Sequence, residues 1–150
     1  MEPMLKPGWN GERPRTYAGA VNTLFTYLDQ TTMLQITQGR LKATDVHHSL
    51  GQALRNEWGL LQPESTLALD MYAKFGLKHP DDLSTLIIEN TWANVRNIPY
   101  DVVGRAKTLH EYWLEDEAAH RELHRPTGYF WIALGMFILA LMILLVYPKS

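Results

Sequence analysis

Apolar residues recur every three or four positions through residues 16–125, which is the spacing that places side chains on one face of a helix. The first apolar stripe starts after Thr16, and we expect its helix to end near Gly39. The stripe is formed by Tyr17, Val21, Leu24, Phe25 and Leu28. The β-branched stretch at residues 31–37 also fits a short strand, but no partner strand is evident and a lone strand is not stable. Helix is therefore the better prediction here.

Helix start and stop signals divide the next part of this region. A second helix is predicted with Thr44 or Asp45 as its N-cap and with Gly59 as its stop. A third helix is predicted with Pro63 in its first position, where proline is tolerated, and with Gly76 directly after its last residue.

Two further helix patterns follow. One begins at Pro80 and must end before Pro99, because the residue before a proline avoids the helical conformation. The other begins near Asp101 and runs to the break that Pro126 signals. The sequence therefore predicts a compact all-α domain of four or five helices over residues 16–125.

Residues 128–147 contain no charged or strongly polar side chain. A helix of this length measures about 30 Å, which is the thickness of the hydrocarbon core of a bilayer. We therefore expect one C-terminal transmembrane helix over residues 128–147. The alternative is a central helix in a large all-α assembly, since a helix that is apolar on every side is buried in one of these two ways.

The first fifteen residues contain prolines, glycines and Trp9 without apolar periodicity. Residues 1–15 are therefore predicted to form an extended N-terminal arm that is either disordered or laid across a partner, and a partner surface is the preferred interpretation. The arm resembles neither a signal peptide nor a mitochondrial presequence, because it has an early acid and no apolar or basic amphipathic stretch.

Composition excludes several classes of function. The chain has no cysteine, which excludes disulfides, thiolate zinc sites, iron–sulfur ligation and cysteine nucleophiles. Its formal net charge of -2 argues against nucleic acid as a partner, because phosphates select clustered lysine and arginine.

The best metal-like pattern is the trio Glu117, His120 and His124, which shares one helical face. Carboxylate-bridged metal sites use this Glu-x-x-His spacing but need two such motifs and two more glutamates, and the chain has only one motif. A solvated face with intrahelical ion pairs is the better interpretation, and a metalloenzyme using this trio is a minor hypothesis. We therefore predict no catalytic, cofactor-binding or metal-binding residues, no cofactor and no enzymatic activity.

These features predict a non-catalytic accessory (supernumerary) single-pass subunit of a large membrane complex, most plausibly a mitochondrial respiratory-chain or ATP synthase assembly, acting in assembly and stability. Its expected partners are other subunits of the complex and the lipid bilayer, with no nucleic acid and no small-molecule substrate. The expected location is the mitochondrial inner membrane. The N-terminal domain would face the matrix, because Arg121 and Arg125 precede the apolar segment and only Lys149 follows it. The alternative is a tail-anchored adaptor that recruits soluble partners to the outer mitochondrial or endoplasmic reticulum membrane.

Overall fold

The computed structural model describes residues 5–6, 13–123 and 128–146 of the chain; side chains are described at 5–6, 13–116, 120 and 132–142. Throughout these residues the regular secondary structure is helical, as predicted, and the only pairing of extended backbone is an isolated bridge between Leu5 and Leu28. The helices, in chain order, are α1 (Tyr17–Tyr27), α2 (Gln30–Thr37), a short 3₁₀ turn (Ala43–Val46), α3 (Ser49–Glu57), α4 (Thr66–Phe75), α5 (Pro80–Val95), α6 (Val102–Leu123) and α7 (Gly128–Val146).

The chain divides into two compact units, and the boundary falls inside α6 between Tyr112 and Trp113. The first unit contains α1 to α5 and the start of α6, so the prediction of only four or five helices before residue 125 is wrong. The second unit contains the rest of α6 and α7.

The single helix predicted from Thr16 to Gly39 is broken into α1 and α2. Leu28 leaves the helical conformation with a ψ angle of 132°, and its buried side chain stays in the core. The next residue, Asp29, caps α2 by accepting a hydrogen bond from the amide of Thr32 at 2.8 Å. A side-chain cap of this kind satisfies an amide that has no acceptor within the helix. A new helix can therefore begin at this point.

Most of the other predicted boundaries are confirmed. Gly76 ends α4 in the left-handed conformation with a φ angle of 72°, which glycine adopts without a steric penalty. Pro80 is the first residue of α5 and Val102 directly follows the predicted start at Asp101.

Two predicted starts are wrong. Pro63 is not the first residue of a helix, because α4 begins after Ser65, whose side chain accepts a hydrogen bond from an amide in the first turn. Thr44 and Asp45 do not cap the second helix, because both lie inside the 3₁₀ turn and α3 begins only at Ser49.

The core of the first unit is organised around α5, which contacts α1, α2, α3 and the 3₁₀ turn. Burying a leucine or isoleucine side chain stabilises a fold by about 1.5–3 kcal/mol, so this helix supplies a large share of the apolar burial. The largest fully buried side chains of the unit are Leu24, Leu28, Ile36, Leu54, Leu60, Leu67, Met71, Leu77, Leu83, Leu86, Ile87 and Ile88.

Five residues of the predicted N-terminal arm are described, at positions 5–6 and 13–15, and the first two contact the end of α1. The amide of Lys6 donates to the carbonyl oxygen of Tyr27 at 2.8 Å, and its Nζ donates to the carbonyl oxygen of Thr26 at 2.8 Å. Leu5 packs against the core beside them. The rest of the arm before Arg13 lies outside the described residues.

The predicted transmembrane helix requires a correction. Within the described part of the chain, no helix combines the length and the apolar character needed to cross a membrane. The predictions of a transmembrane helix over 128–147, of an integral membrane protein and of a place in the mitochondrial inner membrane are therefore wrong. Two further expectations depended on this helix and lose their basis. They are the assignment to a respiratory-chain or ATP synthase complex and the tail anchor of the adaptor alternative.

Candidate functional site

Glu89 of α5 is the centre of a hydrogen-bonded cluster that joins α5 to α6. Its two carboxylate oxygens each accept a hydrogen bond of 2.9 Å from the guanidinium of Arg105, and Oε2 also accepts one of 2.7 Å from the hydroxyl of Tyr100. The hydrogen bond to Glu89 raises the pKa of Arg105 despite partial burial. Burial, together with the hydrogen bond and charge of Glu89, raises the pKa of Tyr100 well above its usual value. Both groups therefore stay protonated and act as fixed donors.

Tyr17 extends this cluster toward α1. Its hydroxyl accepts a 2.8 Å hydrogen bond from the amide of Asn90 and donates to the carbonyl oxygen of Leu86 at 3.4 Å. Burial is the main cause that raises the pKa of Tyr17 to about 12. The hydrogen bond from Asn90 lowers this pKa, and the negative charge of Glu89 raises it further. A phenol with this pKa is a poor general base or nucleophile near neutral pH. Its hydrogen bonds connect α1 to α5.

Asp70 ties the start of α1 to α4. Its carboxylate accepts a hydrogen bond of 2.8 Å from the backbone amide of Tyr17 and lies 2.7 Å from Nζ of Lys74. Burial acts to raise the pKa of Asp70, but the hydrogen bonds from Lys74 and Tyr17 outweigh it, so the pKa is lowered. The carboxylate is held ionised as a helix-to-helix connector.

A second polar cluster connects α3 with the first turn of α5. Nη1 of Arg55 lies 2.8 Å from the carboxylate of Asp81 and donates to the hydroxyl of Ser84 at 3.0 Å. The fully buried Ser84 hydroxyl in turn donates to the carbonyl oxygen of Asp81 at 2.9 Å. A Cβ atom added at Gly51 would lie 3.0 Å from Nη1 of Arg55 and 3.5 Å from the Ser84 hydroxyl, so glycine permits this close approach of α3 and α5.

The histidines near this cluster also make structural contacts. Nδ1 of His47 lies 3.1 Å from the hydroxyl of Thr85. His79 is the N-cap of α5, where its Nδ1 accepts a hydrogen bond from the amide of Asp81 at 3.3 Å. These contacts hold the 3₁₀ turn and the start of α5 in place.

The metal-like trio from the sequence is only partly described. His124 and the side chain of Glu117 lie outside the described residues, and Nε2 of His120 lies 3.8 Å from the carboxylate of Asp116. Across the side chains that the structure does describe, no group of three or more histidine, aspartate or glutamate residues could hold a metal ion.

An apolar groove of about 480 Å³ lies beside the C-terminal half of α5. The indole N–H of Trp92 donates to the carbonyl oxygen of Leu41 at 3.1 Å, which fixes the loop after α2 against α5 and forms one wall. Lys42 and Arg96 are exposed at its edge. The other lining residues include Ile36, Ala43, Ala93, Ile98 and Pro99.

A more polar cleft of about 400 Å³ lies at the start of α4. Arg13, Arg15 and Trp58 line it together with Ser65 and Thr66. It is separate from the Glu89 and Arg55 clusters and shares no residue with them.

In the second unit, the described side chains of α7 are exposed and almost all apolar. Among its large apolar residues, the exposed fraction ranges from 38% for Leu134 to 68% for Met136. The exposed large apolar residues of α7 are Ile132, Leu134, Met136, Phe137, Ile138, Leu139, Leu141 and Met142. No side of this stretch presents a charged residue to water.

Residues 13–95 match a family model described as a domain of unknown function, DUF6794, which covers more than half of the chain. The chain belongs to the DUF6794 family. No curated protein and no solved structure matches it.

The DUF6794 match covers α1 to α5, and therefore contains the Arg55–Asp81–Ser84 cluster and the cleft at the start of α4. It ends before Tyr100 and Arg105, so the Glu89 cluster joins the matched part to the first turns of α6. The sequence analysis did not identify either cluster. The partners are 26 to 29 residues apart in the Arg55 cluster, and only the packing of α3 on α5 brings them together.

Proposed function

We propose that this protein is a non-catalytic subunit of a larger protein assembly, in which α7 packs against helices of partner chains. The observation that carries this proposal is the apolar surface of α7, whose described side chains are exposed on every side. A helix that is apolar all round is a buried helix, and the alternative weighed from the sequence was a central helix in an all-α assembly.

Burial of this apolar surface against other protein chains is energetically favourable. Apolar surface removed from water stabilises an association by about 25 cal/mol for each Å². Contiguous exposed apolar patches larger than a few hundred Å² are rare on monomers and mark interaction sites. Eight large apolar side chains in the eleven residues from 132 to 142 form such a patch.

A smaller apolar surface on the first unit is compatible with the same role. α4 buries Leu67, Ala68 and Met71 on its inner face, yet Leu69 and Tyr72 on its outer face are about half exposed. Polar groups that could serve catalysis, such as Glu89 and Arg55, are occupied by contacts between helices. An assembly role uses the exposed apolar surfaces and leaves these clusters intact.

The experiment is to purify the tagged full chain from its native cells in detergent-free buffer and to measure its mass by light scattering. We expect a defined assembly with a mass well above the 17.2 kDa of one chain. Phe137→Glu should release the chain from the assembly, because it places a charge in the buried helix contact. The matched control is Val103→Glu, since Val103 of α6 is 68% exposed and Phe137 is 66% exposed.

Three results would contradict the proposal. The first is a wild-type chain that is monomeric in this buffer. The second is a chain recovered only from detergent-treated membranes. The third is equal loss of assembly with Phe137→Glu and Val103→Glu, which would indicate a general effect of an added charge. Circular dichroism of each variant verifies that the helical fold remains.

A further inference from the structure

We infer that the cleft at the start of α4 binds a ligand that carries a phosphate group. The cleft has a volume of about 400 Å³ and belongs to the first unit. This inference is independent of the proposed assembly role, because it uses neither α7 nor the outer face of α4.

The first observation is a pair of cations at the cleft. Arg13 and Arg15 line it, both are exposed, and among the described residues neither guanidinium makes an ion pair or a side-chain hydrogen bond. Nη1 of Arg13 lies 3.6 Å from the position that a Cβ atom would take on Gly59. The same position lies 3.7 Å from Cβ of Ser65, so this guanidinium and the N-cap of α4 both lie near Gly59.

The second observation is the start of α4 itself. This helix has 10 residues, and its N-cap Ser65 accepts the hydrogen bond from the amide of Ala68 at 3.2 Å. The amides of Thr66 and Leu67 belong to the first turn and have no acceptor inside the helix. Free first-turn amides and the positive end of the helix dipole favour an anion at this place.

The third observation is a buried donor without a partner. Trp58 is only 3% exposed and forms part of the cleft wall, and its Nε1 is the one buried side-chain nitrogen or oxygen in the described chain that makes no hydrogen bond. Buried donors are almost always paired in folded proteins, and an unpaired one needs an explanation. An anionic oxygen bound in the cleft would supply the acceptor after a small adjustment of the wall.

Charge favours phosphate over carboxylate as the bound group. Two guanidinium groups and the helix dipole together match a dianion better than a single negative charge. The exposed Glu64 also lines the cleft and opposes any further negative charge on the ligand. The volume exceeds that of a phosphate ion and lies within the range of small-molecule sites. The ligand class is therefore a small phosphate ester whose remaining part is uncharged.

The test uses inorganic phosphate as the probe and the full chain labelled with fluorotryptophan. The chain has 5 tryptophans, and the loss of one fluorine signal in Trp58→Phe assigns the signal of Trp58. Phosphate is titrated at constant ionic strength with chloride as the balancing anion. We expect a saturable shift of the Trp58 signal at millimolar phosphate, and no saturable shift with acetate.

Substitutions of the two arginines test the assignment of the site. Arg13→Gln and Arg15→Gln should each weaken phosphate binding by about tenfold, as expected for one charge-assisted hydrogen bond. Arg40→Gln is the control, because Arg40 is an exposed arginine that does not line the cleft. The inference is overturned if the Trp58 signal does not saturate in the wild-type chain. It is also overturned if acetate binds as tightly as phosphate, or if both arginine variants bind phosphate like the control.

Discussion

Tyr17 connects α1 to both α4 and α5, and no motif in the sequence predicted this role. Its backbone amide bonds to Asp70 of α4, and its hydroxyl contacts Asn90 and the Leu86 carbonyl of α5. Its ring also meets Phe75 edge to face, with the ring centres 4.9 Å apart. The sequence identified Tyr17 only as an apolar stripe position, because none of its partners is close in the chain.

The raised pKa of Tyr17 predicts a loss of stability at alkaline pH. The folded value is about 12 and an unfolded tyrosine titrates near 10.0, so between these values the folded state binds more protons than the unfolded state. Stability from this group is therefore complete below about pH 10 and falls as the pH rises toward 12. We expect the free energy of unfolding to decrease by about 1 kcal/mol between about pH 9 and pH 11 because of Tyr17 alone.

Urea unfolding of wild type and Tyr17→Phe at a series of alkaline pH values measures this decrease. The variant should be less stable at neutral pH, because the Asn90 amide loses its acceptor, but its stability should fall less steeply with pH. Tyr72→Phe, which removes one exposed phenol from α4, is the control. Parallel pH curves for wild type and Tyr17→Phe would refute the argument.

At the scale of elements, the sequence predicted helix ends that depend on one local residue and missed those that depend on a side-chain cap. Gly59, Gly76 and Pro80 mark real boundaries. Glycine widens the range of allowed backbone conformations and proline narrows it, so each acts without help from its neighbours. The break after Leu28 was missed although Asp29 is a good N-cap, because the apolar spacing continues across it. A new helix capped by Asp29 competes with continuation of α1 through this position. The packing of Leu28 into the core favours the break.

The cap of α2 gives a prediction at this scale. α2 has only 8 residues, with Thr32 and Ile36 as its buried positions, so little burial compensates for a lost cap. Asp29→Ala removes the acceptor for the amide of Thr32 and for its hydroxyl. The expected cost is about 1 kcal/mol in the free energy of unfolding, measured by urea denaturation.

Asp29→Asn is the matched variant, because its side-chain oxygen can still accept from the amide. It should cost clearly less than Asp29→Ala, since asparagine is as good an N-cap as aspartate. Equal destabilisation by the two variants would mean that the negative charge, rather than the cap, holds the start of α2.

At the scale of the molecule, the polar clusters explain why the fold could be predicted in outline and the site could not. Apolar periodicity reports which face of a helix is buried, and it predicted the all-α first unit. It does not report which helices pack together, so the meeting of Arg55 with Ser84 and of Glu89 with Arg105 was not predictable. Both clusters involve α5, the helix around which the first unit is built.

This arrangement predicts a gradient of stability within the first unit. α5 contains fully buried residues such as Leu86, Ile87 and Thr91, and it packs against α1, α2, α3 and the 3₁₀ turn. α2 is short and mostly exposed, so it can open without unfolding the rest.

In native-state hydrogen exchange, amides of α5 should exchange only through global unfolding, with rates that rise steeply with added urea. Amides of α2 should exchange at least about tenfold faster with little dependence on urea, which corresponds to a local opening about 1.4 kcal/mol or more below the global value. Asp29→Ala should accelerate exchange in α2 more than in α5. The gradient does not exist if α2 and α5 exchange at the same rate and with the same dependence on urea, because the two helices would then unfold as one cooperative unit.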